Sequence, residues 1–189
     1  MKLSGLLLAS LLLTPATVFA NNFNYDYAEL YLQHTTPQVG ESSKGPALDL
    51  SYTMTSMGAQ LLAGYARLDT PATPADINNH NYWLGLRGEN SFGSSTDFYT
   101  DILYLNNRAT FHGSSSTENG YRLLLGLRQR ITARFEFDGS LAHDYLDQSN
   151  NEAAIGLLFN ATSYLAVGLS YAHDSLRNNT LTLRLRVYY

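Results

Sequence analysis

The side chains best suited to chemistry in this 189-residue chain are its five histidines, His34, His80, His112, His143 and His173. The last two sit in near-repeats, Ala-His-Asp-Tyr-Leu from Ala142 and Ala-His-Asp-Ser-Leu from Ala172. Imidazole titrates near neutrality and binds transition metals, so one reading is a metal site or a pH sensor. The competing reading is structural: histidine is polar and aromatic enough for a membrane interface, and the repeat reflects a duplicated hairpin. The structural reading is preferred, because no other metal-ligand cluster accompanies the histidines. His173, Asp174 and Ser175 offer the residue types of a hydrolase. A nucleophile needs a base within hydrogen-bond reach and an oriented third group, and here the stretch runs into a turn-like Ser-Leu-Arg-Asn-Asn instead. The sequence therefore assigns no catalytic residue, no metal and no cofactor, and no Gly-rich phosphate loop is found. With no cysteine, a disulfide framework and a thiolate metal site are excluded. A formal charge of -4 without a basic patch argues against nucleic acid as a partner.

The elements that would position these residues are strands. Residues 1–20 read as a cleaved secretory signal: Lys2, an apolar run from Leu6 to Leu13, and Val18-Phe19-Ala20 before Asn21. Residues 21–189 form the one remaining domain, and they show period-two alternation with almost no helical periodicity. Ten runs stand out, at 23–33, 47–54, 59–68, 81–89, 97–105, 121–129, 134–145, 152–159, 164–173 and 180–189. The connections alternate between short turns and polar loops rich in Ser, Thr, Asn and Gly, the longest predicted at 106–120. An even strand count with short turns on one side is the layout of a membrane barrel, and mean hydropathy near zero suits one whose faces alternate. The expected fold is an all-β antiparallel transmembrane β-barrel of ten strands, with eight as the alternative.

Assigning alternate residues to the two faces places aromatics at two depths. Tyr65, Tyr82, Tyr104, Tyr121 and Tyr171 fall at the loop end, and Phe98, Phe135, Phe159 and Tyr189 at the turn end, forming girdles around an aliphatic band. The opposite face carries Glu29, Asp49, Glu89, Asp101, Glu136 and Asp138 with Arg87, Arg122, Arg128, Arg184 and Arg186. Charges withdrawn from bulk water need partners. An interior salt-bridge network is expected, closed between the first and last strands by Glu29 with Arg184 or Arg186. Small inward residues (Ala154, Gly156, Ala166, Gly168, Ser170, Ala172) should leave space on one side, with Tyr27, Tyr31 and Trp83 available to fill it.

The signal, the Tyr25-x-Tyr27-x-Glu29 opening and the closing Arg-Leu-Arg-Val-Tyr-Tyr resemble the small Gram-negative outer-membrane β-barrel group of OmpX, OmpA membrane-domain and opacity-type proteins. That resemblance implies export, a final strand read by the barrel-assembly machinery, and an outer-membrane setting among lipid and lipopolysaccharide. The expected role is non-enzymatic: loops contacting a host or cell-surface ligand, contributing to adhesion or envelope integrity. A narrow porin-like channel is the alternative, and a lipid A-modifying enzyme a more distant one.

Overall fold

The computed structural model describes residues 23–72 and 76–189; the signal reading of residues 1–20 lies outside them. Ten strands form: β1 (Tyr27–Thr36), β2 (Ser43–Met54), β3 (Ala59–Thr70), β4 (Ile77–Phe92), β5 (Thr96–Phe111), β6 (Ser114–Arg130), β7 (Phe135–Tyr145), β8 (Asn150–Asn160), β9 (Leu165–Asp174) and β10 (Asn179–Tyr188). Each pairs antiparallel with its chain neighbours, and β1 pairs with β10, so the sheet closes on itself and leaves no edge through the belt. The eight-strand alternative is discarded. Closure runs through ten residue pairs, from Tyr27↔Tyr188 to Thr36↔Asn179.

The faces alternate as the period-two pattern requires, but inverted relative to a water-soluble barrel. Leu30, Leu84, Leu125, Ile155, Leu169 and Leu183 point outward and are exposed, while Glu29, Asp101, Arg128 and Arg186 are buried inside. Such an exterior is stable only against lipid. The girdles pair across strands: Tyr65 and Tyr82 lie 5.0 Å apart between ring centroids, Tyr104 and Tyr121 5.8 Å, Phe135 and Phe159 5.2 Å. Along β4, Tyr82 and Phe92 are both exposed, ten residues apart. At about 3.3 Å per residue and a tilt of roughly 40°, that separation spans about 25 Å, the height of an outer-membrane apolar band.

Several boundaries differ from the sequence reading. The first run starts at Tyr27, not residue 23; Phe23 and Tyr25 instead fold into the turn-end lumen and are buried. The predicted long loop at 106–120 is β-structure: β5 and β6 continue to Phe111 and from Ser114, joined by His112 and Gly113. Both turn residues have positive φ, 49° and 77°, the requirement of a two-residue type I′ hairpin. Predicted loops at 34–46 and 69–80 are likewise shortened by strand residues. As a result β4, β5 and β6, at 16, 16 and 17 residues, outrun the 10 to 12 of the other strands. The β5–β6 hairpin gains its length at the loop end, whereas β4 ends there level with β3 at Thr70↔Ile77 and gains its extra residues at the turn end. Residues 114–120 pair with β5 alone, since pairing of β6 with β7 begins at Tyr121↔Tyr145.

Candidate functional site: the lumen

Arginine and carboxylate residues stack through the lumen in tiers because inward positions recur every second residue on strands related by register. At the turn end, Arg128 donates to Glu136 from Nε at 2.8 Å and from Nη2 at 2.5 Å, and to the Tyr188 hydroxyl at 2.8 Å. Glu136 also accepts from Asn160 Nδ2 at 2.7 Å. Phe23 lies beneath the Arg128 guanidinium, 4.6 Å from its centroid, and Tyr25 at 5.4 Å donates its hydroxyl to Asp97 at 3.2 Å. Cation–π contact and hydrogen bonding together satisfy a charge that burial would otherwise penalise.

One tier further in, the fully buried Glu29 of β1 accepts from Arg184 Nε at 2.5 Å and from Arg186 Nη2 at 2.5 Å, both on β10. Arg184 reaches across to Asp138 of β7 at 2.5 Å, and Arg186 covers the Tyr27 ring at 4.1 Å. The structure thus brings Glu29 against both arginines rather than one. Beside them Arg87 and Asp101 form a bidentate pair, 2.7 Å on each arm, with the guanidinium 4.2 Å from the Tyr99 centroid. Tyr31 donates to Asp49. Towards the loop end Arg122 pairs bidentately with Asp144 at 2.6 and 2.8 Å and lies 3.6 Å from Glu152. Glu89 belongs to no ion pair among those described, and its Oε2 is buried without a hydrogen-bond partner.

Sequence reasoning missed several members. Asp144, noted in the sequence only within the near-repeat from Ala142, points inward as the main partner of Arg122, while its neighbour His143 faces outward and bonds Asn151. Asp97 is fully buried; strict alternation from Phe98 would have found it. His173 Nδ1 pairs with Asn179 at 2.9 Å, and Ser175 donates to Asn150 at 2.8 Å, so the two engage different partners. The small inward residues divide. Ala154, Ser170 and Ala172 line open space, but the space over Gly156 is taken by Asp138 and Arg184, and that over Gly168 by the Leu157 carbonyl with Leu158 beside it.

What remains open is a cavity of about 790 Å³ in the loop half, reaching the rim at Glu118, Asp147 and Asn178. Beneath it a void of about 100 Å³ lies among Arg87, Asp138, Arg184 and Arg186. Apolar side chains also face inward: Leu62, Leu103 and Leu105 cluster with Trp83 and Leu146 beside the cavity, and Tyr27, Leu158, Ala166 and Tyr188 cluster near the turn end. Trp83 lies flat over Gly64, where an added Cβ would fall 2.1 Å from the indole.

Among solved structures, the fold is similar to the Bordetella autotransporter BrkA β-domain (10% identity, 86% of this chain and 98% of that one, TM-score 0.56). It is also similar to the NanC porin (12% identity, 86% and 100%, TM-score 0.51). Neisserial surface protein A aligns at 16% identity over 86% and 95%, with a TM-score of 0.47. No family model and no curated protein matches the sequence. The chain has the fold of the small outer-membrane β-barrels.

Proposed function

We propose that this outer-membrane-type barrel is a non-enzymatic surface protein whose protruding β4–β6 sheet makes contacts outside the cell, in adhesion or in maintaining the envelope. The observation that carries the reading is the sheet itself. The β5–β6 hairpin extends past the rim, flanked by β4 as far as Asn78↔Thr110, and residues 114–120 present one unpaired strand edge beside polar Ser, Thr, Asn and Glu side chains. An open edge offers main-chain hydrogen bonds to an extended partner segment. The belt of the barrel has no such edge, so this function belongs to the extension. The arginine tiers in the turn half support the same reading, because they fill the path that a solute would need.

The test is deletion of residues 107–118 with a two-residue turn joining Asn106 to Asn119. The barrel is expected to fold and to retain its heat-shifted gel mobility. Cells carrying it should lose attachment to epithelial monolayers, self-aggregation or detergent resistance relative to the full chain. If all three are unchanged, the reading fails.

A narrow pore is the second reading, favoured by the 790 Å³ cavity and by the fold shared with a protein described as a porin. Single-channel openings in a planar bilayer whose ion selectivity follows Arg122→Glu would establish it in place of the first.

A further inference from the structure

The cavity in the loop half is built with two unlike walls. Leu62, Leu103 and Leu105 form a buried cluster against Trp83, although all four occupy inward positions that a water-filled lumen would leave polar. Facing them are the small side chains of Ala154, Ser170 and Ala172, which leave room rather than fill it. Charge is equally uneven. Eight carboxylates and three guanidiniums line the cavity, with neither lysine nor histidine among its lining residues, a surplus of five negative charges (8 minus 3).

The three guanidiniums are committed. Arg87 holds Asp101, Arg122 holds Asp144 and Arg184 holds Asp138. Of the remaining acids, Asp49 takes the Tyr31 hydroxyl on one oxygen, and its other oxygen, buried at the cavity floor, has no hydrogen-bond partner. Glu152 stands 3.6 Å from the already engaged Arg122. Among the described residues, Asp174, its register partner on β9, accepts from the neutral amides of Asn150 and Asn178 and from the backbone N–H of Asn178. Low-dielectric walls focus the field of such a surplus into the cavity.

We propose that this cavity is a binding site for a small amphipathic organic cation, an amine or quaternary ammonium carrying an aromatic or aliphatic body. The body packs on Leu103, Leu105 and Trp83, and the cationic head is drawn to Glu152 and Asp174. An inorganic cation would leave the apolar wall unused, an anion would meet the field with the wrong sign, and a neutral solute would gain from one wall only. The site lies in the lumen and stands independently of any contact made by the protruding sheet.

Trp83 is the only tryptophan in the chain and lines the cavity, so its emission reports occupancy directly. The mature protein refolded into phosphatidylcholine vesicles is titrated with benzyltrimethylammonium, and separately with phenylacetate and benzyl alcohol. The expected result is a saturable change in Trp83 emission with the cation, a weaker one with the alcohol and none with phenylacetate. The Kd for the cation should rise with ionic strength. Replacing Glu152→Gln and Asp174→Asn together should raise that Kd roughly tenfold, as loss of complementary charge requires, with the heat-shifted gel mobility retained. The proposal is overturned if the wild type responds equally to cation and anion, or shows no saturable response to the cation. It is also overturned if the folded, charge-neutralised variant binds the cation unchanged. The ligand series on wild type alone decides the matter should that variant fail to fold.

Discussion

At the scale of single residues, Glu29 carries more of the interior than any other carboxylate. It has no exposure to solvent and accepts from two guanidiniums on the strand that closes the barrel. Breaking a buried ion pair from one side strands the partner charge, which costs about 3–5 kcal/mol. Glu29→Leu is therefore expected to lower the unfolding free energy by about that much in urea titrations of vesicle-embedded protein. Combining it with Arg186→Leu should cost less than the sum of the single changes, because the stranded charge is removed with its partner. Strict additivity would show that the contact does not couple the first and last strands. The pairing was half legible in the sequence. Inward parity identified most of the acids and bases, but Asp144, noted only within the near-repeat that contains His143, was left out of the lumen set. Parity in fact sends adjacent residues to opposite faces, and Asp144 goes to Arg122.

At the scale of elements, close packing inside so narrow a cylinder depends on missing side chains. Tyr99 lies over Gly126, where a Cβ would sit 2.1 Å from the ring carbon that bears the hydroxyl. The contact joins β5 to β6 across the register pair Tyr99↔Gly126. Gly126→Ala should force the ring aside and destabilise the barrel by about 1–3 kcal/mol, as overpacking does. Tyr99→Leu in the same chain should recover much of the loss in the same urea titration, and no recovery would mean that the clash lies elsewhere. The extended hairpin is the element that the sequence concealed. Asn and Gly are depleted in strands and the stretch lacks an apolar alternation, so 106–120 read as a loop, yet the His112-Gly113 turn with positive φ at both positions sets a register that the polar strands follow.

At the scale of the whole molecule, the barrel is an inside-out object whose exposed leucines would be a liability in water. Leu125 lies in the outward belt and is more than half exposed. In a soluble domain, an exposed Leu→Arg change is nearly neutral. Here Leu125→Arg should cost about 2–4 kcal/mol in a bilayer, measured by equilibrium unfolding from lipid vesicles. A neutral outcome would contradict the membrane placement of this face.

The sequence by itself determined the class, the strand number and the two faces, because alternation is a local property and a strand must send successive side chains to opposite sides. Parity also marked most of the charges that enter the lumen, Asp97 and Asp144 being among those it was not applied to. Only the tertiary structure decided which of them meet. Partners such as Arg184 and Asp138 lie 46 positions apart, and their contact depends on closure and stagger rather than on spacing. It decided too that Phe23 and Tyr25 leave the strand to cover Arg128, and that the lumen is packed at the turn end and open at the loop end. Those outcomes rest on side-chain volumes summed across ten strands, and no single stretch of sequence contains that sum.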